Sequence, residues 1–190
     1  MTSDGSDTSG YVAMADDLRR FLDAVAAARP DAAGVAALRR DIQAWTAALG
    51  AVAVPEAQQL FGRQSDAPGR GQTMAPAFAT HARDRNSMAG TVSFGRYFLG
   101  GNSAAHGGAI ALLFDDVLGR LAGVDRPRAR TAYLHVDYRA VTPLDVTLDV
   151  RAWFVSEQGR KRVLRGELRH GEIVCAEAEA LFVQLRPGQP

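Results

Sequence analysis

Apolar residues recur along this chain with two different periods, and the change of period divides it. Between residues 11 and 28, Leu18, Phe21, Leu22 and Val25 stand at i, i+3, i+4 and i+7, the spacing of one helix face. Pro30 and Asp31 interrupt that run. Residues 34–49 repeat it through Val35, Leu38, Ile42, Trp45 and Leu49, and Gly50 supplies a stop. The two runs predict a helical hairpin, an extension that packs or stabilises a dimer and carries no chemistry. Residues 1–10 are polar and read as a disordered tail. Residues 55–72 are rich in Gly, Pro and Gln and read as a linker or mobile loop.

Beyond residue 73 the period shortens. Residues 74–83 suit an extended segment, and residues 90–99 read as a strand through Val92, Phe94 and the Tyr97-Phe98 pair. Gly100 to Ser103 form a loop, and residues 106–122 are a long apolar helix. Residues 123–130 connect it to four further runs. Over 131–140, Ala132, Leu134, Val136 and Tyr138 alternate with Tyr133, His135, Asp137 and Arg139; the other runs are 145–156, 160–169 and 173–185. Gln158-Gly159 and His170-Gly171-Glu172 are turns between them. One helix cannot cover a parallel sheet, and no further crossovers remain to build one. The expected fold class is α+β: a curved antiparallel sheet wrapped around one long central helix, with an N-terminal helical extension. The expected division is tail, hairpin and linker over 1–72, and one domain over 73–190.

The central helix holds the candidate chemistry. At about 100° per residue, Ile110, Leu113, Phe114, Val117 and Leu121 fall on one stripe that faces the sheet. Gly108, Ala111, Asp115, Gly119 and Ala122 fall on another, where all but the acid are small. Asp116 has Arg120 at i+4, which suits an ordinary helix ion pair. Asp115 has no basic residue at i±3 or i±4, so it is a candidate general base or nucleophile. The helix opens on His106-Gly107-Gly108, where exposed backbone N–H groups suit an oxyanion. Gly107 and Asp115 are separated by about 12 Å along one helix. A second copy packed antiparallel across a two-fold axis brings Gly107 of one chain near Asp115 of the other, so a dimer with composite sites is expected.

Composition narrows the rest. The 190 residues carry a formal net charge of +1, which gives no electrostatic case for nucleic acid. The lone Cys175 excludes an internal disulfide framework and a cysteine zinc site, and reads as a small core residue. His135 and Asp137 share a strand face, but no third ligand stands at a convincing spacing for a metal. No apolar run reaches the roughly 20 residues of a membrane span, and the N-terminus lacks a signal-peptide pattern. A cytoplasmic protein without membrane contact is expected.

The run H-G-G-A-I-A-L-L-F-D-D-V-L-G, followed by R-T-A-Y-L-H-V-D-Y-R-A-V-T-P-L and later E-Q-G-R-K-R and A-E-A-E-A-L-F-V, resembles the hotdog-fold acyl-CoA thioesterases of the PaaI-like group over residues 85–187. The resemblance implies a hotdog thioesterase domain that hydrolyses acyl-CoA as a homodimer or dimer of dimers, with no metal or redox cofactor. It places the catalytic acid on Asp115, the oxyanion N–H on Gly107 and the positioning histidine on His106. It places the hydroxyl that orients water on Thr131, although simple alternation sets Thr131 on the polar strand face. Many relatives carry Asn or Gln where this chain has Gly100, and Asn102 is the nearby substitute. Gly108 would face the substrate. Arg160, Lys161 and Arg162, with Arg139 second, are the candidates for CoA phosphates. Leu112, Leu118 and the Tyr97-Phe98 segment are candidates for an acyl tunnel. Two alternatives stay open: a non-catalytic acyl-CoA-binding module, and a hotdog hydratase or dehydratase using His106 beside a partner's Asp115.

Overall fold

In the computed structural model, which describes residues 8–65, 67–186 and 188–189, one apolar helix lies in the hollow of a six-stranded antiparallel sheet. The helix is α3, Gly107–Ala122. The strands are β1 (Ala79–Arg83), β2 (Ser87–Val92), β5 (Ala129–Tyr138), β6 (Leu148–Gln158), β7 (Lys161–His170) and β8 (Ile173–Gln184), in the order β1-β2-β6-β7-β8-β5. Between β2 and α3 a small hairpin, β3 (Leu99–Gly101) and β4 (Ala104–Ala105), turns through Asn102 and Ser103, both at positive φ. The α+β arrangement expected from the sequence is the one observed.

The core forms where the two periods meet. Leu113, Phe114, Val117 and Leu121 of α3 are fully buried against Leu148, Val150, Leu164, Leu168 and Ala180 of the sheet. Close approach depends on Gly166 in β7: a Cβ there would stand 3.1 Å from the Phe114 ring and 3.2 Å from the Arg151 carbonyl. β5 ends the sheet, with β8 on one side and, among the described residues, no strand on the other.

The segments before the sheet depart from expectation in three ways. The tail expected over 1–10 lies outside the described residues as far as residue 7, and Thr8 to Gly10 form the first turn of α1, Thr8–Ala27. α1 and α2 (Ala32–Gly50) do not close into a hairpin; α2 has no extended packing with any element and no buried residue. α1 lies instead on the body of the domain: Asp23 accepts the Tyr97 N–H at 2.9 Å, and Arg19 donates to the Gln72 carbonyl. Residues 55–72 are not a free linker, since Gly69, Gly71 and Gln72 are buried and a short 3₁₀ turn, Pro68–Gly71, is pressed against the domain. The strand expected over 90–99 ends at Val92; Arg96–Phe98 is a 3₁₀ turn whose Phe98 ring meets Phe94 edge-on.

Candidate active site

The open face of α3 carries Asp115 where the helical angle predicts it. Asp115 is exposed, and Thr131 Oγ1 donates to its Oδ1 at 2.8 Å. Alternation alone turns Thr131 away from the helix. The structure turns it back through a bulge: the β5–β8 register shifts between Thr131, opposite Phe182, and Tyr133, opposite Leu181. Paired residues share a sheet face, and Phe182 is buried on the α3 side. The extra residue therefore gives Thr131 and Leu134 the same face, three positions apart rather than two.

Asp116, one helical step away, has the opposite environment. Its side chain is 6% exposed, Oδ1 accepts from Arg70, and Oδ2 faces Arg120 Nη1 at 4.0 Å. The expected i+4 partner is present but distant; Arg70, from the segment read as a linker, makes the close contact. Burial pushes the Asp116 carboxyl above its ordinary value, and the pull of Arg70 and Arg120 in the other direction is smaller.

At the helix start His106 is the N-cap, and its Nδ1 accepts the Gly108 N–H at 2.9 Å. That bond fixes Nδ1 as the acceptor, so the ring proton of the neutral form sits on Nε2. It also occupies the Gly108 N–H, which leaves the Gly107 N–H as the donor at this end: no backbone partner meets it among the described residues. Tyr138, which the sequence reading assigned only to a strand, donates from its hydroxyl to the Gly107 carbonyl at 2.9 Å. Gly100 explains the departure from the relatives' Asn or Gln. A Cβ at 100 would stand 2.8 Å from the His106 Cα, so no side chain fits there. Asn102 sits at the exposed hairpin tip and makes no hydrogen bond to Asp115, Thr131 or His106 among the described residues.

The basic candidates separate. Arg162 is not a phosphate ligand: it is 1% exposed and bonded to Glu157 and to the carbonyls of Ala122 and Pro127, where it closes the C-terminal end of α3. Arg139 is paired with Glu177 and Asp137 on the outer sheet face. Asp137 also faces His135 at 3.3 Å, but Arg139 already pairs with that carboxylate. Arg160 and Lys161 are exposed and form no ion pair among the described residues. The sequence reading missed Arg128 and Arg130. They flank a cleft of about 270 Å³ whose floor is Gly119 and Gly123 at the far end of the small-residue stripe. The R-P-R-A-R run is the signal in the sequence, where Pro127 and the lack of apolar periodicity predict only a connection. Leu118 and Cys175 are wholly buried core residues, and burial raises the Cys175 thiol; Leu112 is 39% exposed on the open side of α3.

No protein-family model matches the chain, and no curated protein matches it. Solved structures do. A crystal structure described as that of a thioesterase superfamily protein is 26% identical, with 91% of this chain and 94% of that one covered at a TM-score of 0.75. The 9% left out is shorter than either N-terminal helix, so the likeness extends into the helical extension. A Streptococcus mutans protein bound to acetyl CoA is 20% identical, covering 56% of this chain and 86% of that one, TM-score 0.54. A hypothetical thioesterase from Streptococcus pneumoniae with coenzyme A is 18% identical over the same shares, TM-score 0.53. The chain has the hotdog fold of these structures, and its structural neighbours are thioesterase superfamily proteins.

Proposed function

We propose that this protein hydrolyses acyl-CoA thioesters to the free acid and CoA, in the manner of the PaaI-like group. The observation that carries the reading is the Thr131–Asp115 hydrogen bond on the open face of α3. It joins, through a strand bulge, two residues that the resemblance names separately. The CoA found in two of the fold neighbours supports the same carrier here.

In this reading Asp115 takes a proton from water as it adds to the thioester carbon, or attacks that carbon itself to give a mixed anhydride that water then hydrolyses to the free acid. Thr131 donates to one carboxylate oxygen and leaves the other to act. The Gly107 N–H, at the positive end of α3, stabilises the oxyanion, and His106 holds that turn by capping it. The C–S bond then breaks and the thiolate departs without a strong general acid. Gly107 and Asp115 of one chain lie about 12 Å apart, so the site is built from two chains, with a two-fold partner meeting the unpaired edge of β5. Arg128 and Arg130 beside the Gly119–Gly123 cleft, with Arg160 and Lys161, meet the CoA phosphates in place of Arg162.

Free-thiol release from acyl-CoAs of graded chain length tests the proposal. The native chain releases thiol, and Asp115→Asn lowers kcat by at least about 100-fold with the fold retained. Unchanged release in Asp115→Asn, or none from any acyl-CoA with the native chain, overturns it.

A further inference from the structure

Both N-terminal helices present an apolar seam that nothing among the described residues covers. On α1 the residues Met14, Leu18, Phe21 and Val25 are 36–47% exposed. They lie about 130° around the helix from the face that packs on the domain through buried Ala15 and the anchors Arg19 and Asp23. On α2, Val35, Ile42, Trp45 and Leu49 are 47–70% exposed, with half-buried Leu38 between them. The two seams have the same spacing, alternating steps of three and four residues, which is the a/d pattern of helices that pack on other helices. They are of similar length and opposite charge: α1 carries three aspartates and two arginines, α2 two arginines and one aspartate. Yet the pair does not close on itself, and α2 has no extended packing with any other element among the described residues. A helix of this length is marginal in water without tertiary packing.

We propose that the two seams are a self-association surface, with α2 of one chain lying on α1 of a second copy. Matched spacing and opposite charge favour α1 against α2 over either helix against itself, and two such contacts related by a two-fold axis close the assembly. The extension shared with the crystal structure of the thioesterase superfamily protein is then an exchanged arm rather than a free spike. This contact is separate from the β5 edge, so its failure leaves the thiol-release reading intact.

The test uses the full chain with Trp153→Phe, which leaves Trp45 as the sole tryptophan. At concentrations where light scattering shows self-association, Trp45 emission is expected to lie blue of a solvated indole and to move red on dilution. Ile42→Glu in α2 and Leu18→Glu in α1 are each expected to halve the mass, or lower it further, and to shift Trp45 red. Both residues are surface-exposed in the single chain, so neither change breaks its core. Three results overturn the proposal: solvated-indole emission at every concentration, unchanged mass in Ile42→Glu, or an effect of Ile42→Glu without one of Leu18→Glu.

Discussion

Asp115 and Asp116 are adjacent, and the helical turn of about 100° between them gives one to solvent and the other to the space under Arg70. The buried one makes a pH prediction. Its folded pKa is raised, so the folded chain holds that proton more tightly than the unfolded one. The stabilising contribution is fully present below the ordinary carboxylate value and is lost as pH rises through the folded pKa. Glu157 and Glu179 act in the opposite direction, each held low by arginine contacts that overcome its desolvation, so they stabilise above the ordinary value and lose that as pH falls. Comparing the native chain with Asp116→Asn isolates the first effect. Urea unfolding should show the stability difference moving in favour of the variant as pH rises above about 4. A difference flat in pH would show that burial does not govern this carboxyl. The sequence separated the two acids by helical angle and by the basic residue at i+4, because helix geometry fixes both. It could not supply Arg70, whose approach depends on a 46-residue separation and on a turn with Gly69, Arg70 and Gly71 at positive φ.

At the scale of elements, periodicity was legible and its interruptions were not. The core stripe of α3 and the four long strands follow from apolar spacing, which burial enforces. The bulge in β5 leaves no mark in that spacing, so Thr131 was expected to face outward although the resemblance gave it a role. The Arg160-Lys161-Arg162 run shows the same limit: three adjacent cations leave a turn in which only position 162 points under the sheet. Arg162 joins three elements by bonding the Ala122 carbonyl at the end of α3, the Pro127 carbonyl in the loop before β5, and Glu157 of β6. Replacing it with methionine keeps some volume but strands the Ala122 and Pro127 carbonyls. The expected cost is about 2–4 kcal/mol, read as a fall in the urea midpoint. Lys161→Met, at an exposed position, should leave the unfolding free energy within about 0.5 kcal/mol of native. Equal effects at 161 and 162 would contradict the junction role.

For the whole molecule, what matters is which chain supplies each half of the site, and two inactive variants can decide it. Asp115→Asn removes the base. Gly107→Pro removes the oxyanion donor at little local cost: proline is favoured at the first helical position, and His106 before it already has the extended backbone (φ −64, ψ 131) that proline requires. Tyr138 must yield slightly, since a Cβ at 107 would stand 3.2 Å from its hydroxyl. Each variant alone should be inactive. Unfolded together in equal amounts and refolded, they form mixed dimers in which one site pairs both lesions and the other has native Asp115 facing native Gly107. Half the dimers are mixed and half of their sites are intact, so thiol release should return to about a quarter of the native rate. If both groups acted within one chain, every site would carry a lesion and mixing would restore nothing. A rate near zero after mixing, with mixed dimers demonstrated by a tag on one variant, would place the reaction within a single chain and remove the reason for the two-fold arrangement.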